Sequence, residues 1–195
     1  SKRGFKRSYI LDASGADNYV HKAYLPTQLK PKWFKDGASI ELPKDFYSSR
    51  NLVDEMMQFM EEEPNKENPF FAYLAFQAIH IPVQAPKEFI EKYEGVYDEG
   101  WDVLRQFRFE KAKELDLIPK EATLGKMLPT LSKWETLSAE NKKLKAKAMA
   151  VNAAMLEAMD FHIGRYKTYL KEHGKLANTV FIITSDNGPE ASDPS

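Results

Sequence analysis

Cysteine is absent from the 195 residues. Its absence excludes disulfides, a thiol nucleophile and Cys-ligated zinc within the chain. It leaves the redox compartment open, because a chain without cysteine tolerates either. No stretch approaches the ~20 apolar residues of a membrane span, so no membrane partner is implied. Charge of one sign is lacking too. The 28 Lys and Arg nearly cancel the 29 Asp and Glu, leaving a net charge of -1. The cations are spread along the chain, so nothing marks a nucleic-acid or anionic-polymer partner. There is no Gly-rich phosphate loop, nucleophile-elbow motif or zinc-helix motif. Internal repeats and low-complexity tracts are also missing. Ser1-Lys2-Arg3-Gly4 has no apolar run behind it, so no export signal opens the chain. An internal stretch of a longer protein would carry none, and periplasmic, secreted and cytoplasmic locations all stay open.

What is present suffices for a core, since 43% of residues are hydrophobic. Residues 1–47 are rich in turn formers, among them Asp17-Asn18, Pro26, Pro31 and Asp36-Gly37. They predict an extended, loop-rich segment with short strands at most, whose aromatics pack on something. Ser48 or Ser49 can cap a helix in which Leu52, Met56, Phe59 and Met60 recur at helical spacing. Pro64-Asn65 ends it. Residues 69–76, Pro-Phe-Phe-Ala-Tyr-Leu-Ala-Phe, form a continuous apolar run that predicts a strand buried on both faces of a parallel sheet. Residues 87–93 and 101–115 predict helices, and a linker over 116–134 then wraps the surface. The strongest helix spans 138–173, with an apolar stripe of Leu156, Met159, Ile163, Tyr166 and Leu170. His173-Gly174 supplies its stop. Residues 179–184, Thr-Val-Phe-Ile-Ile-Thr, predict a second buried strand. The expected class is therefore α/β, helix-rich, with few parallel strands and flanking helices. Two strands are too few for an independent α/β domain, which motivates reading the chain as part of a larger fold.

Two polar clusters come directly after the two apolar runs. Ser185-Asp186-Asn187-Gly188 offers hard oxygen ligands of the kind calcium or magnesium takes, at the edge where α/β sheets bind ligands. It is equally ordinary turn chemistry, and spacing alone favours the turn. His80 sits in the proline-bracketed segment Ala78 to Pro86 and suits a general acid or an oxyanion contact. The alternative is a histidine packed in a loop. Other polar residues read as structural. His21 is expected at the surface, and His162 and His173 in solvent off the apolar stripe. Asp160 and Arg165 share a helix face where they can pair or anchor a loop. Glu61-Glu62-Glu63 is a solvated helix end, and Met155 and Met159 fill core space.

Taken together, the motifs resemble those of the arylsulfatases, the formylglycine-dependent sulfatases of the alkaline-phosphatase-like superfamily. Residues 69–76 followed by His80, Pro82 and Gln84-Ala85-Pro86 resemble the segment that ends in that family's proline-flanked active-site histidine. Tyr93, Gly95, Tyr97-Asp98, Gly100-Trp101-Asp102 and Leu104-Arg105 resemble the family's next stretch in chain order. Asp160, Ile163-Gly164-Arg165, Asn178-Thr179 and Ser185-Asp186-Asn187-Gly188 resemble its helix–strand–metal-ligand unit. Arg3-Gly4-Phe5, Arg7-Ser8, Asp36-Gly37 and Asp45-Phe46-Tyr47-Ser48 match the family's style near the start. The resemblance covers nearly the whole chain.

The resemblance implies a partial alkaline-phosphatase-like sheet within a single partial catalytic domain over residues 1–195. It implies hydrolysis of aryl or carbohydrate sulfate esters at a calcium-assisted site. Asp186 and Asn187 would be calcium ligands, and His80 would touch the sulfate or protonate the leaving group. In the family the attacking group is a formylglycine made from Cys or Ser. No Cys-x-Pro-Ser-Arg motif or serine equivalent occurs here, and the family's paired N-terminal aspartates are not recognisable. The chain is thus expected to be an internal stretch, inactive alone and weak in calcium, since two ligands compare poorly with the six to eight oxygens calcium takes. A fragment of a larger sheet would also expose apolar surface and self-associate. Two other readings stand beside this one: a metal-dependent phosphodiesterase or phosphatase of the same superfamily, which calls for more His and Asp, and a non-catalytic remnant serving as a binding module.

Overall fold

Asp36 and Gly37, with φ of 51° and 88°, turn the chain between β2 (Trp33–Lys35) and β3 (Ala38–Ile40). Two consecutive positive φ angles make the tight hairpin turn for which Asp-Gly is suited. The strand β1 (Tyr9–Leu11) pairs with the other edge of β2, and both pairings are antiparallel. Ile10 faces Phe34, and Trp33 faces both Leu11 and Ile40. The Asp36 carboxylate accepts from the Ser8 backbone N–H at 2.8 Å and from Arg7 Nε at 2.7 Å, which ties β1 to the turn.

The computed structural model describes residues 4–13, 15–24 and 30–188. They fall into two compact units, Ser1–Gln84 with Met155–Ser195, and Ala85–Ala154. Among the described residues no helix is long and apolar enough to cross a membrane.

In the first unit the core lies between the sheet, α1 (Ser48–Glu62) and the C-terminal half of α4 (Ala139–Glu172). Trp33 is buried under Tyr9 and Phe46, with ring centroids 5.1 and 5.3 Å away. Val53, Tyr166 and Leu170 form a buried cluster against Met56, Met57, Met60, Leu74 and Phe76. The serines expected to cap α1 do not. Tyr47 flanks the helix start, the Asn51 side chain accepts from the Tyr47 N–H at 2.9 Å, and the Asn18 carbonyl accepts from the Ser48 N–H at 2.9 Å. At its other end α4 closes as the sequence expects. Gly174 has φ of 67°, its N–H donates to Lys171 O and that of Lys175 to Leu170 O, the pairing of a Schellman stop.

The buried face of α4 shares Tyr166 and Leu170 with the predicted stripe and differs from it before them. In the first unit it runs Met155, Ala158, His162, Tyr166, Leu170, while Leu156 is 48% exposed. The true face passes through a small alanine and a polar histidine, which weaken the apolar pattern in the sequence. His162, expected in solvent, is therefore buried.

The apolar runs 69–76 and 179–184 were expected as parallel strands buried on both faces. Among the described residues neither belongs to a sheet, and the sheet that exists is antiparallel and lies elsewhere. Burial alternates along 71–76 with the period of two of an extended chain, leaving Phe71 80% exposed. Val180, Ile182 and Ile183 are exposed by 85% or more. A strand forms only where a neighbour supplies the ladder, so composition alone did not make either run one.

The second unit holds α2 (Lys87–Ile90), α3 (Gly100–Glu114) and the N-terminal half of α4. Its core is Tyr97, Trp134, Ala146 and Ala150, with Trp101 set edge-on to Trp134 at 4.8 Å. Gly100 opens α3 with φ of 82°, and a Cβ there would overlap the Trp134 indole. The linker after α3 is irregular and mostly exposed, as expected, and Gly125 O in it accepts from Arg105 Nη2 at 2.6 Å.

The acidic end of α1 is exposed at Glu61 and Glu62, as expected, and carries partners as well. Glu61, Glu62 and Glu63 are bonded, not merely solvated. Tyr169 Oη donates to Glu61 at 2.7 Å, Arg7 pairs with Glu62, and Lys6 with Glu63 at 3.3 Å. These partners hold all three carboxyls below the usual carboxylate range: the Tyr169 hydroxyl and Lys66 for Glu61, Arg7 and Gln58 for Glu62, Lys6 for Glu63. Partial burial works to raise the Asp36 pKa, but the Ser8 N–H and Arg7 outweigh it and the net direction is down.

A carboxyl with a depressed pKa binds its proton less readily folded than unfolded. Its stabilisation is complete above the unfolded value and is lost as pH falls through the folded one. The urea midpoint is thus expected to drop as pH falls below the ordinary values of 4.5 for Glu and 3.8 for Asp. A midpoint flat from neutral pH through that range would contradict the assignment. Two glycines test the packing in opposite directions. Gly100→Ala should cost about 2–4 kcal/mol, from crowding plus a left-handed backbone. Gly164→Ala, on open helix surface, should gain about 1 kcal/mol. Denaturant titration of the two variants checks both.

Candidate functional site

His80 ends a turn in which its N–H donates to Gln77 O at 2.8 Å. Its ring is half-buried, and Nδ1 lies 2.6 Å from Ile81 O. A carbonyl can only accept, so Nδ1 carries a proton and the proton exchanged in any chemistry is the one on Nε2. Tyr24 meets the ring edge-on at 5.2 Å. Gly15 backs the pair: a Cβ there would lie 3.2 Å from Tyr24 Cε1 and 3.4 Å from His80 Nδ1.

The segment around His80 is stitched to the loop at 15–20. Ala16 N donates to Gln77 Oε1 at 2.9 Å, and Asn18 N to Gln84 Oε1 at 2.7 Å. Gln84 Nε2 donates to Asp17 Oδ2 at 2.7 Å, while Asp17 Oδ1 accepts from the N–H groups of Tyr19 and Val20. Asp17-Asn18 registers in the sequence only as turn chemistry. That Asp17 folds its carboxylate back onto the next N–H groups fits the signal, but its long-range partner Gln84 had none.

Asp186 and Asn187 sit on an exposed turn after the exposed run 179–184. The bonds here are local: Ser185 Oγ donates to Asn187 O at 2.5 Å, and Asn187 Nδ2 to Gly188 O at 2.6 Å. That geometry is the turn which spacing alone favoured. His80, Asp186 and Asn187 belong to the same compact unit. Among the described residues no three His, Asp or Glu side chains gather as a metal site. The two oxygens of Asp186 and Asn187 fall well short of the six to eight that calcium takes, so these residues do not by themselves fit the ion.

The remaining polar residues sort differently from expectation. His162 is buried, and its Nδ1 accepts from Arg165 Nη1 at 3.0 Å. Arg165 also binds Asp54 on α1 at 2.7 Å, so it anchors one helix to another and does not pair with the exposed Asp160. His21 is half-buried, with Nδ1 3.2 Å from Pro31 O. His173 is exposed, as expected, and lies 3.0 Å from Glu61. Met155 is fully buried core.

A family model described as sulfatase matches residues 1–194. The chain is 39% identical over 203 residues to an uncharacterised sulfatase of Schizosaccharomyces pombe, covering 98% of this chain and 36% of that protein. It is 35% identical over 188 residues to an arylsulfatase of Klebsiella aerogenes, covering 95% of this chain and 40% of that protein. An arylsulfatase of Clostridium perfringens is 30% identical over 143 residues, 73% of this chain. The chain thus spans 36% and 40% of the length of the first two relatives.

Because Gly15 fills the space behind His80 and Tyr24, Gly15→Val should lower stability by about 1–3 kcal/mol through crowding. It should also shift the His80 ring resonances in NMR spectra, and unchanged His80 shifts in the folded variant would show that the two do not touch.

Proposed function

The chain belongs to the sulfatase family, and on that premise we propose that it forms part of a sulfuric ester hydrolase acting on aryl or carbohydrate sulfates. His80 is the residue we assign to the chemistry, and the observation that carries the assignment is its orientation. With the Nδ1 proton committed to the Ile81 carbonyl, a second proton on Nε2 is the one the ring can deliver. When the S–O bond of the ester breaks, the departing oxygen takes that proton and leaves as the alcohol, while overall a water oxygen bonds to sulfur to complete the sulfate and a proton of that water returns to His80. A positioned acid of this kind contributes ~10²–10⁴ in rate.

Asp186 and Asn187 are proposed to lend two oxygens to a calcium site whose other ligands come from outside these 195 residues. Calcium would neutralise sulfate oxygens when bound. His80 and the Asp186-Asn187 pair would then face one oxyanion pocket, with 69–76 and 179–184 as parallel strands of an alkaline-phosphatase-like sheet. The even alternation of burial along 71–76 and the exposed apolar run at 180–183 support that arrangement. The same exposed residues support self-association of the chain alone.

The test is turnover of two esters by a longer protein that carries this segment. His80→Ala should slow an alkyl sulfate by ~10²–10⁴ and a nitrophenyl sulfate much less, since a good leaving group needs little acid help. Equal rates for wild type and variant on both esters would remove His80 from the chemistry. The 195-residue chain alone, with no cysteine to oxidise, should turn over neither ester. Calorimetry should find calcium binding weak, and Asp186→Ala should weaken it further. Robust turnover by the isolated chain would overturn the reading that it needs further residues.

A further inference from the structure

We propose that Asn18 is a positioning residue for His80, an inference that rests on assigning His80 to the chemistry. Asn18 is 1% exposed, and each of its polar groups has a partner. On one side it holds the start of α1: its carbonyl accepts from the Ser48 N–H at 2.9 Å and its Oδ1 from Ser48 Oγ at 2.5 Å. On the other side it holds the segment that carries His80. Its backbone N–H donates to Gln84 Oε1 at 2.7 Å, and its Nδ2 donates to Pro82 O at 3.2 Å.

The Pro82 carbonyl comes directly after the Ile81 carbonyl, which receives the His80 Nδ1 proton. The Pro82 ring locks the φ between these two peptide units, so with the Pro82 carbonyl held only the Pro82 ψ is left to turn the Ile81 carbonyl. Asn18 therefore sets the direction of the acceptor that selects the His80 tautomer. Gln84 completes the clamp from the far end of the segment and is locked in turn by Asp17. A buried amide left without these partners keeps its desolvation cost with nothing to offset it, so the arrangement is held rigidly.

A residue that merely supports α1 would look the same in a stability measurement. The two roles separate on the His80 ring itself. A free imidazole favours the proton on Nε2, whereas the clamp holds it on Nδ1. Long-range proton–nitrogen NMR correlations on the 195-residue chain, at a pH where the ring is neutral, read the tautomer, with His80→Gln assigning the signal among the four histidines. Wild type should show the Nδ1–H form. Asn18→Ala, Asn18→Asp and Gln84→Ala should each shift His80 towards the Nε2–H form. Asn18→Asp keeps the acceptor for Ser48 but loses the Nδ2 donor. Ser48→Ala should lower the urea midpoint and leave the His80 tautomer as it was. If Asn18→Ala fails to fold, Asn18→Asp decides, since it keeps the Ser48 contacts and removes only the Nδ2 donor to Pro82 O. A wild-type tautomer in the folded clamp variants, or a Ser48→Ala shift as large as theirs, would overturn the proposal. Ester turnover plays no part in this readout, so failure of the clamp and failure of the sulfatase chemistry are told apart.

Discussion

A buried amide cannot be left without partners, and that constraint organises the first unit around Asn18. The side chain is removed from water, so its donors and acceptors must be met inside the protein. Ser48 meets them from the first turn of α1, and Gln84 and Pro82 from the segment after the apolar run. Three stretches far apart in the chain are thereby fixed against one another. The histidine that the resemblance singles out lies within one of them, and its tautomer is set by where the backbone carbonyls are held.

Apolar packing supplies the rest of that frame. Val53 on α1 and Tyr166 and Leu170 on α4 exclude water between the two helices. Arg165 bridges to Asp54 beside them. Burial pushes the Tyr166 hydroxyl up to about 12, and Met60 Sδ accepts from it at 3.1 Å. The glutamates at the end of α1 add an electrostatic seam where Tyr169, Arg7 and Lys6 converge. In the second unit the same role falls to Trp134, whose ring fills the space that Gly100 leaves.

Against these well-packed parts stand two runs with strand composition that have no strand partners among the described residues. Their residue types are suited to the interior of a sheet, yet Val180, Ile182 and Ile183 face solvent. A ladder of hydrogen bonds needs two chains side by side, and the relatives that this chain matches are more than twice its length. The exposed turn with Asp186 and Asn187 comes immediately after one of these runs. A sulfatase site built from His80 and that pair therefore depends on a sheet to bring both runs into register.

Local signals were legible. The extents of α1, α3 and α4 could be read from periodicity, and the Gly174 stop and the turn at Asp36-Gly37 from backbone preferences that depend on a few neighbours. The family membership was legible as well, because its motifs are carried by residue identity and order. Long-range pairing was not. Ala158 is small and His162 polar, so the buried face of α4, which keeps Tyr166 and Leu170 of the predicted stripe, lay one residue off it before them. Glu61 to Glu63 resemble any solvated helix end until Arg7, Lys6 and Tyr169 arrive from distant parts of the chain. Asn18 resembles a turn residue until Ser48 and Gln84 close on it. The amino-acid order by itself determined helices, turns and lineage, because those depend on short-range geometry and on side-chain identity. Only the tertiary structure decided which polar groups lose water and must find partners, because burial is a property of the assembled fold and not of any local stretch.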